Sequence, residues 1–377
     1  MAEKVSVIKC DSYDEGLVLQ KVREALNLIN FEIKQGTNVL IKPNVLSAKS
    51  PNEAITTHPA LVNAICRILK EKNCKISIGD SSGIGAFGGT RRAFKKTGIE
   101  EIAKRYNAEI IPFEESKIVY KKINGKILKG IHISKSLLDA DFIINMPKLK
   151  THALVGYTGA VKNMFGIIPG GKKSYYHKIC GNQATFADLL VDIYNFRKPD
   201  LNIMDGIIGM EGNGPAAGKI KKTGIIIASK SGIALDFVAA KIIGFKTEDI
   251  LTNKALVKRN LKPEIEVVGE KNIKIKYEQP IKTIRKVPGF MLKIFYSLVN
   301  PEIKVNKKKC KKCLVCLKAC PVKAISLINN KIKINRKKCI LCYCCHELCP
   351  EKAIIIRKSF IARFITSLKN WIKKVIK

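Results

Sequence analysis

Short apolar runs alternate with longer segments of helical periodicity over residues 1–280. The short runs lie at 5–9, 38–41, 75–79, 109–112, 142–146, 201–205 and 224–228, and each reads as a strand. Between them, apolar residues recur at helical spacing over 15–30, 59–71 and the region near 90–106. This alternation predicts an α/β domain with a mainly parallel sheet. Residues 121–133 interrupt it and predict a hairpin around Asn124 and Gly125, a favourable two-residue turn.

The pattern changes after residue 280. Residues 281–300 are basic and apolar, which is typical of a connecting segment. Residues 301–356 contain an internal repeat with an offset of 29 residues, from Cys310 to Cys339, and a β-type segment follows each copy at 324–327 and 353–356. We therefore predict four parts: the α/β domain at 1–280, a connector at 281–300, a small α+β domain at 301–356 and a separate tail at 357–377.

The tail has the pattern of an amphipathic helix. Over residues 359–377, aromatic and aliphatic side chains including Trp371 fall on one helical face, basic side chains occupy the other, and no acid is present. Such a helix suits an anionic membrane surface, where each basic residue would contribute about 1 kcal/mol. Packing of the apolar face on the chain's own body is the alternative, and the sequence leaves both open.

Composition changes this picture mainly through charge. The chain has 377 residues, 46% of them hydrophobic, which is ample for a core, and a formal net charge of +38. No run approaches 18 apolar residues, so no membrane-spanning helix is expected. Residues 301–377 alone hold 21 lysines and arginines against three glutamates. This surplus indicates an anionic partner, whether lipid, nucleic acid, protein or substrate, unless it reflects a general bias toward lysine.

The repeat carries eight cysteines in two identical spacings, Cys-x-x-Cys-x-x-Cys-x-x-x-Cys-Pro, at 310–321 and 339–350. Thiolates so spaced suit iron–sulfur clusters. Four thiolates also suit zinc, although zinc motifs rarely follow this rhythm. Disulfides are disfavoured because the chain begins Met1-Ala-Glu-Lys-Val without an apolar signal region, which predicts a reducing, cytoplasmic setting. Cys344 lies outside the pattern and is interpreted as a spectator or a substitute for Cys345.

The spacing resembles that of bacterial two-cluster ferredoxins over about 50 residues. The resemblance implies two [4Fe–4S] clusters, with the fourth cysteine of each motif reaching the other cluster. It assigns Cys310, Cys313, Cys316 and Cys349 to cluster 1, and Cys339, Cys342, Cys345 and Cys320 to cluster 2.

Motifs in the first 270 residues resemble a bacterial and archaeal family known as domain of unknown function 362. They are Lys-Pro-Asn at 42–44, Thr-His-Pro at 57–59, Gly-Asp-Ser-Ser-Gly at 79–83, Pro-Lys-Leu-Lys-Thr-His at 147–152, and the segments 158–166 and 205–215. As the family's name states, the resemblance implies no established reaction, so the chemistry must come from the residues.

Polar residues follow several predicted strands, where ligands of α/β sheets bind. These residues are two acids, three lysines and an amide, here called the strand-end rim: Lys42, Asn44, Asp80, Lys148, Lys150 and Asp205. Lysines there suit phosphate or carboxylate groups, while Asp80, Asp205 and Glu211 suit a divalent cation or acid–base chemistry. The remaining catalytic candidates are two proton shuttles, His152 and His177. Ordinary surface charge or loop capping is the alternative for each residue.

A glycine-rich stretch follows the 75–79 strand. Gly83, Gly85 and Gly88 nominally fit the dinucleotide motif, but the first glycine comes too late after the strand. An anion-binding loop before the helix near Thr90 is the better interpretation.

These features favour an iron–sulfur oxidoreductase that exchanges electrons with a partner protein and acts on a small anionic substrate or cofactor. The alternatives are an electron carrier or assembly factor docked on a membrane complex, at the inner face of the membrane, and an RNA-binding or RNA-modifying iron–sulfur protein. Few aromatics accompany the basic residues, which disfavours nucleic acid.

Overall fold

A computed structural model describes residues 2–83, 88–281 and 302–357. The predicted connector and the tail at 359–377 lie outside these ranges, as does Gly85 of the glycine-rich stretch. Among the described residues, no helix has the length and apolar character needed to cross a bilayer.

A ten-stranded sheet organises the α/β domain. The strands of residues 2–281 are β1 Glu3–Lys9, β2 Asn38–Pro43, β3 Lys75–Asp80, β4 Glu109–Pro112, β5 Ile118–Lys122, β6 Gly130–Ser134, β7 Phe142–Met146, β8 Lys148–His152, β9 Gly156–Thr158, β10 Leu201–Glu211, β11 Lys219–Ser229 and β12 Ile265–Gly269. The order along the sheet is β12-β1-β11-β10-β7-β2-β3-β4, with β8 and β9 attached beside β10. β5 and β6 form a separate pair.

The predicted mainly parallel sheet is confirmed. The pairs β3–β4, β2–β3, β2–β7, β7–β10, β8–β10 and β1–β12 are all parallel, whereas β11 runs antiparallel to both of its neighbours and β9 to β8. The central strands are buried on both faces, which explains why they read as continuous apolar runs.

Helices cover both faces of the sheet. The helices of the α/β domain are α1 Glu15–Leu28, α2 Pro59–Glu71, α3 Gly89–Lys96, α4 Ile99–Arg105, α5 Ser136–Asp139, α6 Ala160–Asn163, α7 Lys172–Cys180, α8 Gln183–Phe196, α9 Gly232–Ile242 and α10 Leu251–Lys258. α1, α2 and α4 bury their apolar sides against one face, while α8 and α9 cover the other. Side-chain caps fix the starts of α1 and α8: Asp14 accepts the Leu17 N–H, and Asn182 accepts the Thr185 N–H.

Three boundaries differ from the sequence predictions. The helix near 90–106 is two helices, because Gly98 adopts φ 76° and ends the first one. The 201–205 strand continues to Glu211, with an irregularity between Gly206 and Ile208, so Asp205 lies within a strand. The predicted hairpin exists, but its strands stop at Lys122 and resume at Gly130, so a longer loop replaces the two-residue turn.

Residues 302–357, here called the cysteine module, repeat their structure at the sequence offset of 29. β13 Glu302–Val305 pairs with β16 Ile354–Arg357, and β14 Ile325–Ile328 pairs with β15 Lys331–Ile334. Two short helices, α11 Val315–Ala319 and α12 Cys344–Glu347, occupy equivalent places. The sequence repeat is therefore a repeat of conformation.

Candidate functional site: the cysteine cavities and a pocket beside them

The eight motif cysteines line two cavities in the cysteine module. The first cavity is lined by Cys310, Cys313, Cys316 and Cys349, and the second by Cys320, Cys339, Cys342 and Cys345. Each set draws three cysteines from one motif and one from the other, as the ferredoxin resemblance implies. All 13 cysteines are free of disulfides.

The residues around each cavity fit an iron–sulfur cluster. Four cysteines line each space, three from one motif and one from the other, which is the ligand set of a [4Fe–4S] cluster in two-cluster ferredoxins. Backbone amides also point at the sulfurs: the N–H of Ala324 donates to Cys320 Sγ and that of Ala353 to Cys349 Sγ, both at 3.1 Å. Such bonds stabilise thiolate ligands and tune a cluster's potential.

A polar pocket lies where the cysteine module meets the α/β domain. Its lining residues come from both parts: Asn44, Val45, Leu46, Asp80, Ser81, Gly83, Thr158, Lys162, Asn163, Phe165, Gly166, Lys173, Ser174 and His177 from the α/β domain, and Cys344, Glu347 and Leu348 from the module. The enclosed volume is about 70 Å³. At roughly 10–15 Å³ per water-sized probe, this space holds about five waters or one small molecule.

Cys344 separates the pocket from the second cysteine cavity. It lines both spaces, is 5% exposed, and directly precedes Cys345, which belongs to the second set. The interpretation of Cys344 as a spectator therefore misses its position, because its side chain forms part of the wall between the two spaces.

Two lysines give the pocket a cationic side. Lys173 donates to the carbonyls of Ser81 and Ser82 at 2.5 and 2.8 Å, and burial lowers its pKa to about 8. Lys162 lines the same pocket, and burial also lowers its pKa. Lys173 is protonated below a pH of about 8 but lacks the full hydration of a surface lysine, and Lys162 is buried in the same way. An anion entering the pocket would therefore stabilise the charged form of both side chains.

Asp80 is the acidic residue of the α/β side of the pocket, and a buried partner neutralises it. Asp80 Oδ1 lies 2.9 Å from Lys42 Nζ, and Oδ2 accepts the Val45 N–H at 2.7 Å. Lys42 is fully buried and Asp80 is 2% exposed. These two residues of the predicted rim lie close together, as expected. They form a buried ion pair, however, and are not charges exposed at the surface.

Of the predicted proton shuttles, His177 lines the pocket, whereas His152 lies behind it, in contact with the lining residue Glu347. Burial lowers the pKa of each to about 4, so both rings are neutral at pH 7. His177 lines the pocket and stacks on Phe186 with ring centroids 4.2 Å apart. His152 Nδ1 accepts the Leu154 N–H, which leaves the proton on Nε2, 3.0 Å from Glu347 Oε1 of the cysteine module.

Lys148 and Asp205 of the rim lie elsewhere. Lys148 donates to Asp205 Oδ2 and to the hydroxyl of Tyr13, which in turn donates to Asp205 Oδ1. None of these residues lines the pocket, and Lys148 and Asp205 are fully buried. Their role as ligand-binding side chains stays a prediction; in the structure β8 and β10 place them side by side in the sheet, where they pair with each other.

The predicted divalent cation has no assembled ligands in the described part of the chain. Lysines neutralise Asp80 and Asp205, and Glu211 accepts the Glu278 N–H away from the pocket. No cluster of three or more carboxylate, imidazole or thiol groups suits a single ion within the described ranges.

The glycine-rich stretch is only partly described. Gly83 donates its N–H to the Leu46 carbonyl and lies against Leu348 of the module, so it helps to form the pocket. Gly88 adopts φ 77° immediately before α3. An anion-binding role for Gly83, Gly85 and Gly88 stays a prediction.

Sequence reasoning missed Lys162, Lys173 and Glu347. The two lysines lie in or beside recognised motifs, but lysine is so frequent in this chain that neither stood out. Glu347 had a clearer signal, because the equivalent residue in the first copy of the repeat is Lys318. A charge reversal between equivalent positions of the two copies indicates that the second copy faces a different neighbour.

Comparisons with known proteins agree with the cysteine cavities and the large domain. Residues 39–241 match the model of a domain of unknown function (DUF362), and residues 302–350 match a 4Fe-4S dicluster domain. A thylakoid-associated protein of Synechocystis sp. is 34% identical over 268 residues, which cover 70% of this chain and 81% of that protein.

Two solved structures share less with the chain. A protein from Thermotoga maritima has a TM-score of 0.40 at 13% identity, covering 60% of this chain and 57% of its own. The lactate racemase apoprotein from Thermoanaerobacterium thermosaccharolyticum has a TM-score of 0.40 at 14% identity, covering 64% and 56%. The chain thus spans little more than half of each, and neither likeness supports an argument about function.

Proposed function

We propose, from the premise that the chain belongs to the DUF362 family and carries a 4Fe-4S dicluster domain, that it is an iron–sulfur oxidoreductase with two [4Fe–4S] clusters. Its substrate would be a small anion bound in the pocket between the two parts of the chain. One observation carries the proposal: Cys344 and Glu347 of the dicluster domain line the same pocket as Asp80, Lys162 and Lys173. A ligand there lies one side chain away from the second cysteine cavity.

The clusters, when bound by the two cysteine sets, would supply single electrons. The chain's own residues would bind and orient the substrate. Lys162 and Lys173 attract an anionic group at the side of the pocket away from the sheet interior. Thr158 Oγ1 and Asn44 Oδ1 belong to lining residues and are buried without a hydrogen-bond partner in the described structure, so they are available to a bound molecule.

His177 completes the site as a neutral imidazole. A neutral ring donates one hydrogen bond and accepts another, which lets it hold a proton next to the ligand without adding charge. Glu347 and Leu348 close the pocket on the module side and restrict the entry of water. The lysines thus supply charge complementarity, and His177 supplies proton exchange.

The test is anaerobic reoxidation of the reduced protein by a panel of small anions, namely carboxylates, oxo acids, nitrite and phosphate esters. Return of the cluster absorbance reports the reaction. We expect one class of anion to reoxidise the clusters, and Lys173→Met to weaken its apparent affinity at least tenfold. Lys178→Met is the matched control because Lys178 lies exposed on the same helix, α7. Equal kinetics for the two variants, or no reactive anion, would contradict the proposal.

We further propose peripheral membrane association through the tail at 359–377. The cationic amphipathic sequence and the thylakoid-associated relative support it. Co-sedimentation with vesicles containing anionic lipid should recover the full chain but not a chain truncated after Ile356. Equal recovery of both would count against the tail as an anchor.

A further inference from the structure

The two copies of the cysteine repeat differ sharply in what surrounds them. In the second copy, Tyr343, Cys344 and His346 are buried, and His346 Nε2 lies 3.1 Å from the Asn213 carbonyl of the α/β domain. The residue equivalent to Glu347 is Lys318 in the first copy, and it is exposed. The second copy therefore faces the α/β domain and the first copy faces away from it.

The loop between the first two cysteines shows the same asymmetry. In the first copy it is Lys311-Lys312, and both lysines line the mouth of the first cavity beside Cys313, an exposed cysteine. In the second copy the equivalent residues are Ile340 and Leu341, which are not exposed. Exposed lysines therefore line the first cavity, whereas the second cavity shares the lining residue Cys344 with the pocket.

Most lysines in and just before the loop at Cys313 have no carboxylate partner among the described residues. Residues 302–357 hold 15 lysines and arginines but only three glutamates. Glu302 contacts Lys304 and Arg336, Glu347 faces His152, and Glu351 lies 3.4 Å from Lys311.

Lys308, Lys309 and Lys312 have no carboxylate partner among the described residues. Residues 1, 84–87, 282–301 and 358–377 contain no aspartate or glutamate. The surface formed by Lys308, Lys309, Lys311 and Lys312 is here called the lysine face; within the described structure only Lys311 of these four has a carboxylate partner, so the face is cationic.

We propose that the lysine face is the docking surface of an acidic redox protein, which exchanges electrons with the chain at the first cysteine cavity. The inference rests on the proposed binding of two clusters, but not on any reaction in the pocket. Unpaired charge of one sign steers an oppositely charged partner and raises its association rate. Lys311 and Lys312 line the first cavity beside the exposed Cys313, where a redox partner must come close. Binding of a lipid surface or a nucleic acid would not require the lysines to lie beside a cluster ligand.

The test measures reduction of the clusters by a reduced acidic flavodoxin, used as the probe donor, in anaerobic stopped flow. We expect a second-order rate constant that falls steeply with ionic strength. The double variant Lys308→Glu/Lys312→Glu should lower it about tenfold at low salt, the scale of electrostatic steering. Reduction by methyl viologen radical cation should become slightly faster in the same variant, since the repulsion is removed.

The matched control is Lys72→Glu/Lys75→Glu, which makes the same change in net charge. Lys72 and Lys75 are exposed at the amino end of β3, and parallel strands place that edge away from Asp80 and the module. If the double glutamate variant loses iron, Lys308→Gln/Lys312→Gln replaces it, with an expected loss of about threefold.

Three results would overturn the proposal. One is a rate independent of salt, and another is an equal loss in the control variant. The third is an unchanged rate with flavodoxin together with lost binding to phosphatidylglycerol vesicles, which would make the face a lipid-binding surface. Because the readout is cluster reduction, a pocket that proved inactive would leave this result intact.

Discussion

Replacing Gly166 by alanine should break the buried ion pair beside the pocket. A Cβ atom at this position would lie 2.2 Å from Asp80 Oδ1 and 2.5 Å from Lys42 Nζ. Carbon atoms need about 3.5 Å from their neighbours, so both charged groups must move by about 1 Å. The two groups are 2.9 Å apart and almost fully buried, and little space is open to them.

The size of the effect follows from the burial of the pair. Removing one partner of a buried ion pair costs about 3–5 kcal/mol, because the other charge is left without compensation. Gly166→Ala displaces the partners without deleting either, so we expect the lower end, about 3 kcal/mol. This corresponds to more than a hundredfold loss in the folding equilibrium, at about 1.4 kcal/mol per factor of ten.

Anaerobic urea denaturation followed by far-UV circular dichroism measures the loss. Gly171→Ala is the matched control, since Gly171 has φ −62° and a Cβ there would meet nothing within 4 Å. An alanine that fits should be neutral or stabilise by up to about 1 kcal/mol. If Gly166→Ala unfolds within about 1 kcal/mol of that control, the ion pair rearranges freely and the reasoning is refuted.

Two further predictions concern pH and iron. Because Lys173 has a pKa of about 8, it is protonated below that pH and neutral above it, so anion affinity in the pocket should fall as pH rises through 8. Lys173→Met should abolish this dependence, and a pH titration of anion affinity by calorimetry checks it. Removing iron with a chelator should unfold the cysteine module, whose cavities depend on metal–thiolate bonds, while the α/β domain keeps its secondary structure. Circular dichroism with limited proteolysis measures this; rapid cleavage within residues 2–281 would contradict it.

The cysteine sets could be predicted from the sequence because the residues that define them are close together along the chain. Ligand identity and spacing are properties of consecutive residues, and the offset from Cys310 to Cys339 reappears in the pairing of β13 with β16 and of β14 with β15. The parallel sheet was equally predictable, since strands buried on both faces leave continuous apolar runs in the sequence. Breaks within helices were less predictable from the sequence. Gly98, for example, interrupts the 90–106 segment through its backbone conformation alone.

The candidate site was predictable only in part because its chemistry depends on distant pairs. Lys148 reads as a surface lysine in the polar segment Lys-Leu-Lys-Thr-His, and only Asp205, 57 residues away, shows that it is buried and paired. The role of Glu347 likewise depends on a contact with a residue distant in sequence, His152. Charge in this sequence is abundant, so composition could not separate the few buried lysines from the many exposed ones.

The shared wall at Cys344 also ties the binding site to the integrity of the metal centre. Cys344, Glu347 and Leu348 contribute one side of the pocket, and all three lie within five residues of both Cys345 and Cys349. Loss of metal from the second cysteine set would therefore disturb the wall of the pocket as well.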